Sequence, residues 1–183
     1  MGRLIVSAQM TIDGVMDQIE DWFDATLESE LHGVDQLSAA DALLLGRETY
    51  EGLSSFWPTA SDPMGFADRV NSIPKFVASR TLHEPLEWNA TLIKGDLIER
   101  VTELKQELRG NLLVYRCGQL ANDLARRGVV DEVRLWVHPI VWGDGVRPFH
   151  AGKLPIRMRL IGATTFSSGV VLQSYAPIGE SGR

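Results

Sequence analysis

The sequence predicts an α/β layer fold whose sheet is mostly parallel but carries an antiparallel edge. Two observations predict it. Short apolar runs alternate with helix-patterned segments through the first two thirds of the chain, an alternation that builds parallel sheets covered by helices. The last stretch, "RMRLIGATTFSSGVVLQSYAP", then reads as a β-hairpin turning near Ser168-Gly169. A chain of 183 residues is long enough to bury one sizeable core. It contains no internal repeat and no low-complexity linker, so a single domain is expected over residues 1–178, followed by a frayed polar tail at 179–183.

Taken in order, Arg3 to Met10 is a short apolar strand leading into "TIDGV", where Asp13-Gly14 signals a turn. Met16 to Asp24 is an acidic loop holding Trp22 and Phe23; a solvated connection and a lid over a site both fit it. Leu27 to Leu37 is an uneven helix, and "ALLLG" is a buried strand by its continuous apolar run. "RETYEGLSSFW" is helical until Pro58, and Asp62 to Ser72 is a weaker helix. "KFVAS" and "ATLIKG" are strands. Asp96 to Leu108 carries the clearest helix pattern: Asp96 caps it, Glu99 follows three residues on, Leu97, Val101, Leu104 and Leu108 form its stripe, and Gly110 closes it. "LLVY" is a strand, Gly118 to Arg127 a helix stopped by Gly128, and Glu132 to Val141 a long strand with Arg134, Trp136 and His138 on one face.

Composition narrows the function classes. Hydrophobic residues make up 44% and charged residues 23%, as in an ordinary globular chain. A net charge of −6 argues against a nucleic-acid or anionic-membrane partner. The single cysteine cannot build a disulfide framework, and His32, His83, His138 and His150 do not fall at metal-ligand spacing, so no metal is expected. No apolar run approaches the ~20 residues that span a bilayer, and "MGRLIVSAQM" is too short and polar for a signal peptide. A cytoplasmic protein is expected.

Three predicted strands deliver a basic residue at their carboxyl ends, where open α/β sheets bind ligands: Arg47, Arg80 and Arg116. Two of them stand at a helix start, a poor place for a cation and a good one for an anion held by free backbone N–H groups. Each could instead pair with a surface carboxylate such as Glu48 or Glu51. As a set they suggest bound phosphates, although no G-x-G-x-x-G precedes a helix. Asp13, after the first strand, reads either as an ordinary Asp-Gly turn or as an acid facing the ligand.

These residues together resemble the dihydrofolate-reductase fold, and more closely the reductase domain of the bifunctional riboflavin-biosynthesis deaminase–reductase and its stand-alone relatives. "TIDGV" is similar to the family's Ser-Leu-Asp-Gly turn, "LLLGRETYE" to its Gly-Arg-x-Thr-Tyr segment, and "ASRTL" to its cofactor-binding Ser-Arg. "YRCGQLANDLARRGVVDEVRLWVHPIVWGDGVRPF" is similar to its Gly-x-Gly-x-Leu helix, Gly-Leu-Val-Asp-Glu strand and Pro-x-x-x-Gly-x-Gly loop. The resemblance implies a three-layer α/β/α fold and NADPH-dependent hydride transfer to a small pterin-like or pyrimidine-like heterocycle, in a homodimer. It implies that Gly46, Arg47 and Thr49 hold phosphate, and that Ser79 and Arg80 meet the adenosine ribose phosphate. It further implies that Gly118, Gln119 and Leu120 begin a second phosphate-binding helix, and Arg116 and Cys117 are expected in the phosphate-binding turn before it. Asp13 would then act on the substrate, with Gly14 and Trp22 beside it. Trp136, on a strand face with Arg134 and His138, is expected to need the cover of a second subunit. A non-catalytic member binding a nucleotide or metabolite in the same cleft is the alternative.

The sequence departs from the family pattern in two places that matter, Val15 and Arg116. Val15 stands where the riboflavin reductases carry lysine, which argues against the riboflavin intermediate as substrate. The deaminase half and its zinc signature are missing. Arg116 occupies a position where the family more often has glycine. Its Cβ implies either a different turn or strain of ~1–3 kcal/mol, and weaker cofactor affinity than a glycine version. Cys117 follows at a helix start, which would lower its thiol pKa. A true dihydrofolate reductase would need Glu28 or Glu30 to grip its pterin.

Overall fold

The computed structural model describes residues 1–23, 26–148 and 155–178. The sequence expectations for Asp24, Phe149, His150 and the tail at 179–183 lie outside the described residues. The elements run β1 (Leu4–Thr11), α1 (Ile19–Trp22), α2 (Leu27–Ser38), β2 (Ala40–Gly46), α3 (Arg47–Phe56), a 3-10 turn at Trp57–Thr59, α4 (Phe66–Ser72), β3 (Lys75–Ala78), β4 (Ala90–Leu92), α5 (Leu97–Glu107), β5 (Asn111–Tyr115), α6 (Gln119–Arg126), β6 (Glu132–His138), β7 (Met158–Thr165) and β8 (Val171–Pro177). This is the α/β architecture that the alternation predicts, mostly parallel with antiparallel strands at its C-terminal end. Among the described residues, no helix is long and apolar enough to cross a membrane.

The chain forms two compact units, each built from two separate stretches. Residues Met1–Leu4 with Glu30–Tyr115 form the first; Ile5–Ser29 with the chain from Arg116 onward form the second. No shift in composition marks these divisions, which is why the sequence reads as one domain.

The first unit orders its strands β4-β3-β2-β5. All three pairings are parallel. Leu43, Leu44 and Leu45 of β2 and Leu112, Leu113 and Val114 of β5 are essentially inaccessible to solvent, as a doubly covered parallel strand requires. Val101 and Leu104 of α5 are buried with them. Asp96 caps α5 as its sequence predicts, accepting the amides of Ile98 and Glu99. Lys75 is the most deeply buried charged group in this core. Its side chain is buried, donates from Nζ to the Asn71 carbonyl at 2.9 Å, and lies 4.1 Å from the centre of the Trp88 ring. Burial pulls its pKa down to about 8.

The second unit orders its strands β1-β6-β8-β7. β1 and β6 are parallel, while β6–β8 and β8–β7 are antiparallel. Gly169, with φ +85°, makes the turn before β8 where the sequence places it. The β6 strand stops at His138, before Pro139, short of the Val141 expected. Trp136 contradicts its sequence reading. It is buried against Phe166, Val170 and Leu172, its ring stacks on Phe166 at 5.5 Å, and its Nε1 donates to the Ser7 hydroxyl at 3.1 Å. The hairpin of the same chain covers this face, so Trp136 gives no reason for a second subunit.

Candidate functional site

In the first unit, the register that pairs β2 with β3 sets Gly46 beside Ala78. Gly46–Arg47 and Ser79–Arg80 therefore leave neighbouring parallel strands at the same end. Helix α3 starts at once. Its N-cap, Gly46, is extended (φ −78°, ψ 165°) and provides no side chain to the first-turn amides. The contrast with α5, whose Asp96 fills that role, leaves the α3 amides available to an anion. Thr49 is half-buried within the first turn. Arg47 is the one strand-end arginine that pairs as the surface reading anticipates, loosely, at 3.7 Å from Glu51 and 3.9 Å from Glu48. The Ser79 hydroxyl accepts the amides of Thr81 and Leu82, each at 3.1 Å, and shapes the turn that presents Arg80. Arg80 is exposed and makes no ion pair among the described residues.

In the second unit, Arg116 donates its amide to the Ser7 carbonyl of β1 at 2.9 Å and then turns with φ +73°. The turn thus keeps the glycine-like geometry and bears the strain of a Cβ. Arg116→Gly is expected to raise the unfolding free energy by roughly 1 kcal/mol. Urea unfolding measures this, and an unchanged midpoint would refute the strain. The Arg116 side chain is exposed without an ion pair among the described residues. Gly118 is the N-cap of α6, again without a side-chain cap, and a Cβ built on it would meet nothing within 4 Å. Gln119 is exposed and Leu120 half-buried in the first turn behind it. Cys117 departs from its sequence expectation. The thiol is fully buried, and burial pushes its pKa up to about 12, outweighing the helix start. It is a packed apolar group with no thiolate to offer.

Asp13 lies in a turn that pairing shapes. Thr11 and His138 are register partners on β1 and β6, so the segments following both strands emerge side by side. The Asp13 carboxylate accepts the Trp142 amide at 3.0 Å, the Thr11 hydroxyl at 2.7 Å and the Gly143 amide at 2.8 Å. These bonds, the Trp142 amide foremost, hold its pKa down at about 2. It is thus an ionised acceptor across the working pH range. Three of its roughly four lone-pair positions are taken, which leaves Oδ2 one for a ligand N–H. Gly14 follows with φ +85°, open to glycine and strained for other residues.

The acidic segment after it is an ordered wall. Met16 donates its amide to the Val146 carbonyl at 2.8 Å, Val146 donates its own to the Asp17 carboxylate at 2.9 Å, and Ile12 donates to the Ile140 carbonyl at 2.9 Å. Residues Ile19–Trp22 form the short helix α1, which the loop reading missed. Trp22 is buried, with its indole N–H spent on the Asp17 carbonyl at 2.8 Å. Its ring, like that of Phe23, lies 5.2 Å from the ring of His138, which bonds Gln9 Oε1 through Nε2 at 2.8 Å. Trp22 therefore shapes this wall from within and offers no free polar group to a ligand.

Residues 3–172 match the RibD C-terminal domain family. The chain belongs to the RibD C-terminal domain family. It is 30% identical to the uncharacterized protein YyaP of Bacillus subtilis strain 168 over 179 residues, covering 94% of each chain. The structure aligns with a candidate riboflavin biosynthesis protein from Shewanella sp. PV-4 at a TM-score of 0.78 and 22% identity, over 97% of this chain and 99% of the other. It also aligns with dihydrofolate reductase from Enterococcus faecalis complexed with NADP(H), at a TM-score of 0.65 and 14% identity, over 97% and 98% of the two chains. These two likenesses establish the fold.

Within this RibD C-terminal domain, the Val15 departure and the Glu28 alternative acquire a physical form. Val15 is fully buried, its amide donating to the Thr11 hydroxyl at 2.9 Å, so its side chain belongs to the interior of the wall. Glu28, one of the two carboxylates that a true dihydrofolate reductase would need here, accepts both the amide and the hydroxyl of Ser167 at 3.0 Å, which lowers its pKa. Sequence reasoning missed the contributions of Arg147 and of the Trp142 and Gly143 amides. Their signal was "WGDGVR", read only as part of a family motif.

Proposed function

We propose that the protein is an NADPH-dependent reductase that transfers hydride to a small pterin-like or pyrimidine-like heterocycle. One observation carries the reading: two helices, α3 and α6, each begin at a glycine N-cap without a side-chain cap and have an arginine beside the junction, while α5 is capped by its own aspartate. Each of the α3 and α6 helix starts suits a phosphate group. Gly46, Arg47 and Thr49 would hold one phosphate and Arg116, Cys117, Gly118, Gln119 and Leu120 another. Cys117 contributes only backbone, because its thiol is buried. Ser79 fixes the turn from which Arg80 takes the 2′-phosphate.

When bound, NADPH supplies the hydride. Asp13 stays ionised and accepts an N–H of the heterocycle, orienting it beside Gly14. It is not the proton donor, so the proton that balances the added hydride comes from solvent. Trp22 backs the wall on that side. The protein is taken to be a homodimer, by family resemblance alone, and a cytoplasmic one, from the sequence expectation above. Light scattering at micromolar concentration should show two chains, and a monomer there would end the dimer assignment.

The test is NADPH oxidation, followed by absorbance, against a panel of pterins and pyrimidines. Turnover with at least one, reduced more in Asp13→Asn than NADPH affinity is, supports the reductase. Saturable NADPH binding without turnover across the panel would instead mark a binding protein. Arg116→Gly is expected to tighten NADPH as it relieves the turn; looser binding would mean that its charge outweighs its strain.

A further inference from the structure

We infer that Arg147 is the positioning residue of the Asp13 turn. Its Nε donates to the Asp13 carbonyl at 3.1 Å and its Nη2 to the Gly143 carbonyl at 3.0 Å. Nη2 also stands 3.7 Å from Asp13 Oδ2. One guanidinium thus bridges the turn that follows β1 and the loop that follows β6. Its stem crosses Gly14, where an added Cβ would lie 3.9 Å from Arg147 Cγ. Planar fork geometry makes this bridge possible, since two carbonyls can be met at once by donors held in one plane.

The charge is needed as well as the shape. Between Arg3 and Arg47 the sequence contains no lysine or arginine, while Asp13, Asp17, Glu20 and Asp21 fall in the segment that forms the wall. Asp13 gathers two amides and one hydroxyl, all neutral donors. Arg147 is the cation beside it. It reaches Asp13 through both the backbone carbonyl and the carboxylate, so it fixes the direction in which the remaining Oδ2 lone pair points. Arg147 does not itself touch the reacting atoms in this arrangement. The inference rests on Asp13 being the group that faces the substrate.

Hydrogen exchange and NADPH titration on the full chain, in wild type, R147A and R147K, separate the possibilities. In R147A the Trp142 and Gly143 amides should exchange about tenfold faster or more, as expected for loss of charge-assisted bonds. Amides within β6 should be unchanged, and NADPH affinity should stay within about twofold, because Arg147 is remote in role from the phosphate-binding turns. R147K should fall between, since an ammonium keeps the charge but not the fork. With any heterocycle the wild type reduces, R147A should lower kcat and leave the KM for NADPH alone. Unchanged exchange at Trp142 and Gly143 in R147A would overturn the inference, and so would faster exchange throughout β6. Absence of NADPH oxidation by the wild type would count against the reductase reading, and the exchange rates would still judge Arg147.

Discussion

Arg80→Ala is expected to abolish most of the preference for NADPH over NADH. Arg80 follows β3 in a turn that Ser79 fixes through two backbone amides, and its side chain is exposed with no ion pair among the described residues. It differs in this from Arg47, which already has Glu51 at 3.7 Å. A guanidinium without a partner does not have to leave one to meet a 2′-phosphate. A charge-assisted contact of that kind is worth roughly 1.5–3 kcal/mol, or about 10–100-fold in affinity. NADPH should therefore weaken by that factor in the variant while NADH, which has no such phosphate, stays the same. Calorimetry with both cofactors measures the effect, and the gap should narrow as salt is added. Equal affinity of the wild type for the two would remove this role from Arg80.

The second large effect is structural. Gly145→Ala is expected to destabilise the protein by about 3 kcal/mol, through strain and overpacking together. Gly145 has φ +149°, a region closed to a side chain without strain. A Cβ there would also run into Asp17 Oδ1 and lie 2.5 Å from Val15 Cγ1. Val15 is fully buried and has little room to yield. Asp17 would be driven off the Val146 amide that it accepts at 2.9 Å. Urea unfolding gives the free energy, and a loss below about 0.5 kcal/mol, typical of harmless surface changes, would show that the wall adjusts freely.

The sequence made the local features legible and left the distant ones obscure. The Asp96 cap of α5, the turn at Gly169 and the strand β2 all follow from residues within a few positions of one another. The strained turn at Arg116 was legible as a dilemma, and the structure decides it at φ +73°. By contrast, Asp13 meets the Trp142 amide across 129 positions, a pairing that no local pattern encodes. Trp136 looked exposed because strand alternation assigns a face without saying what covers it, and the cover, Phe166 and Leu172, comes from the hairpin. Cys117 was misjudged because helix starts lower a thiol pKa only where solvent or charge can stabilise the thiolate. Helix α1, with four residues, lacks the length for any periodic signal.

The interleaving of the two units sets an order of events during synthesis. Glu30 to Tyr115 is one uninterrupted stretch, so almost all of the first unit is available once that stretch has left the ribosome. The eight residues of β1, LIVSAQMT, are made earlier still, yet Ile5 has Glu132 as its register partner and Thr11 has His138. An apolar strand therefore waits for its β6 partner while the intervening chain is being made, the circumstance in which nascent proteins aggregate or recruit chaperones. The hairpin made last buries Trp136 of β6, whose indole N–H meets the Ser7 hydroxyl of β1, so the pairing of β1 with β6 is covered only when the hairpin has been made.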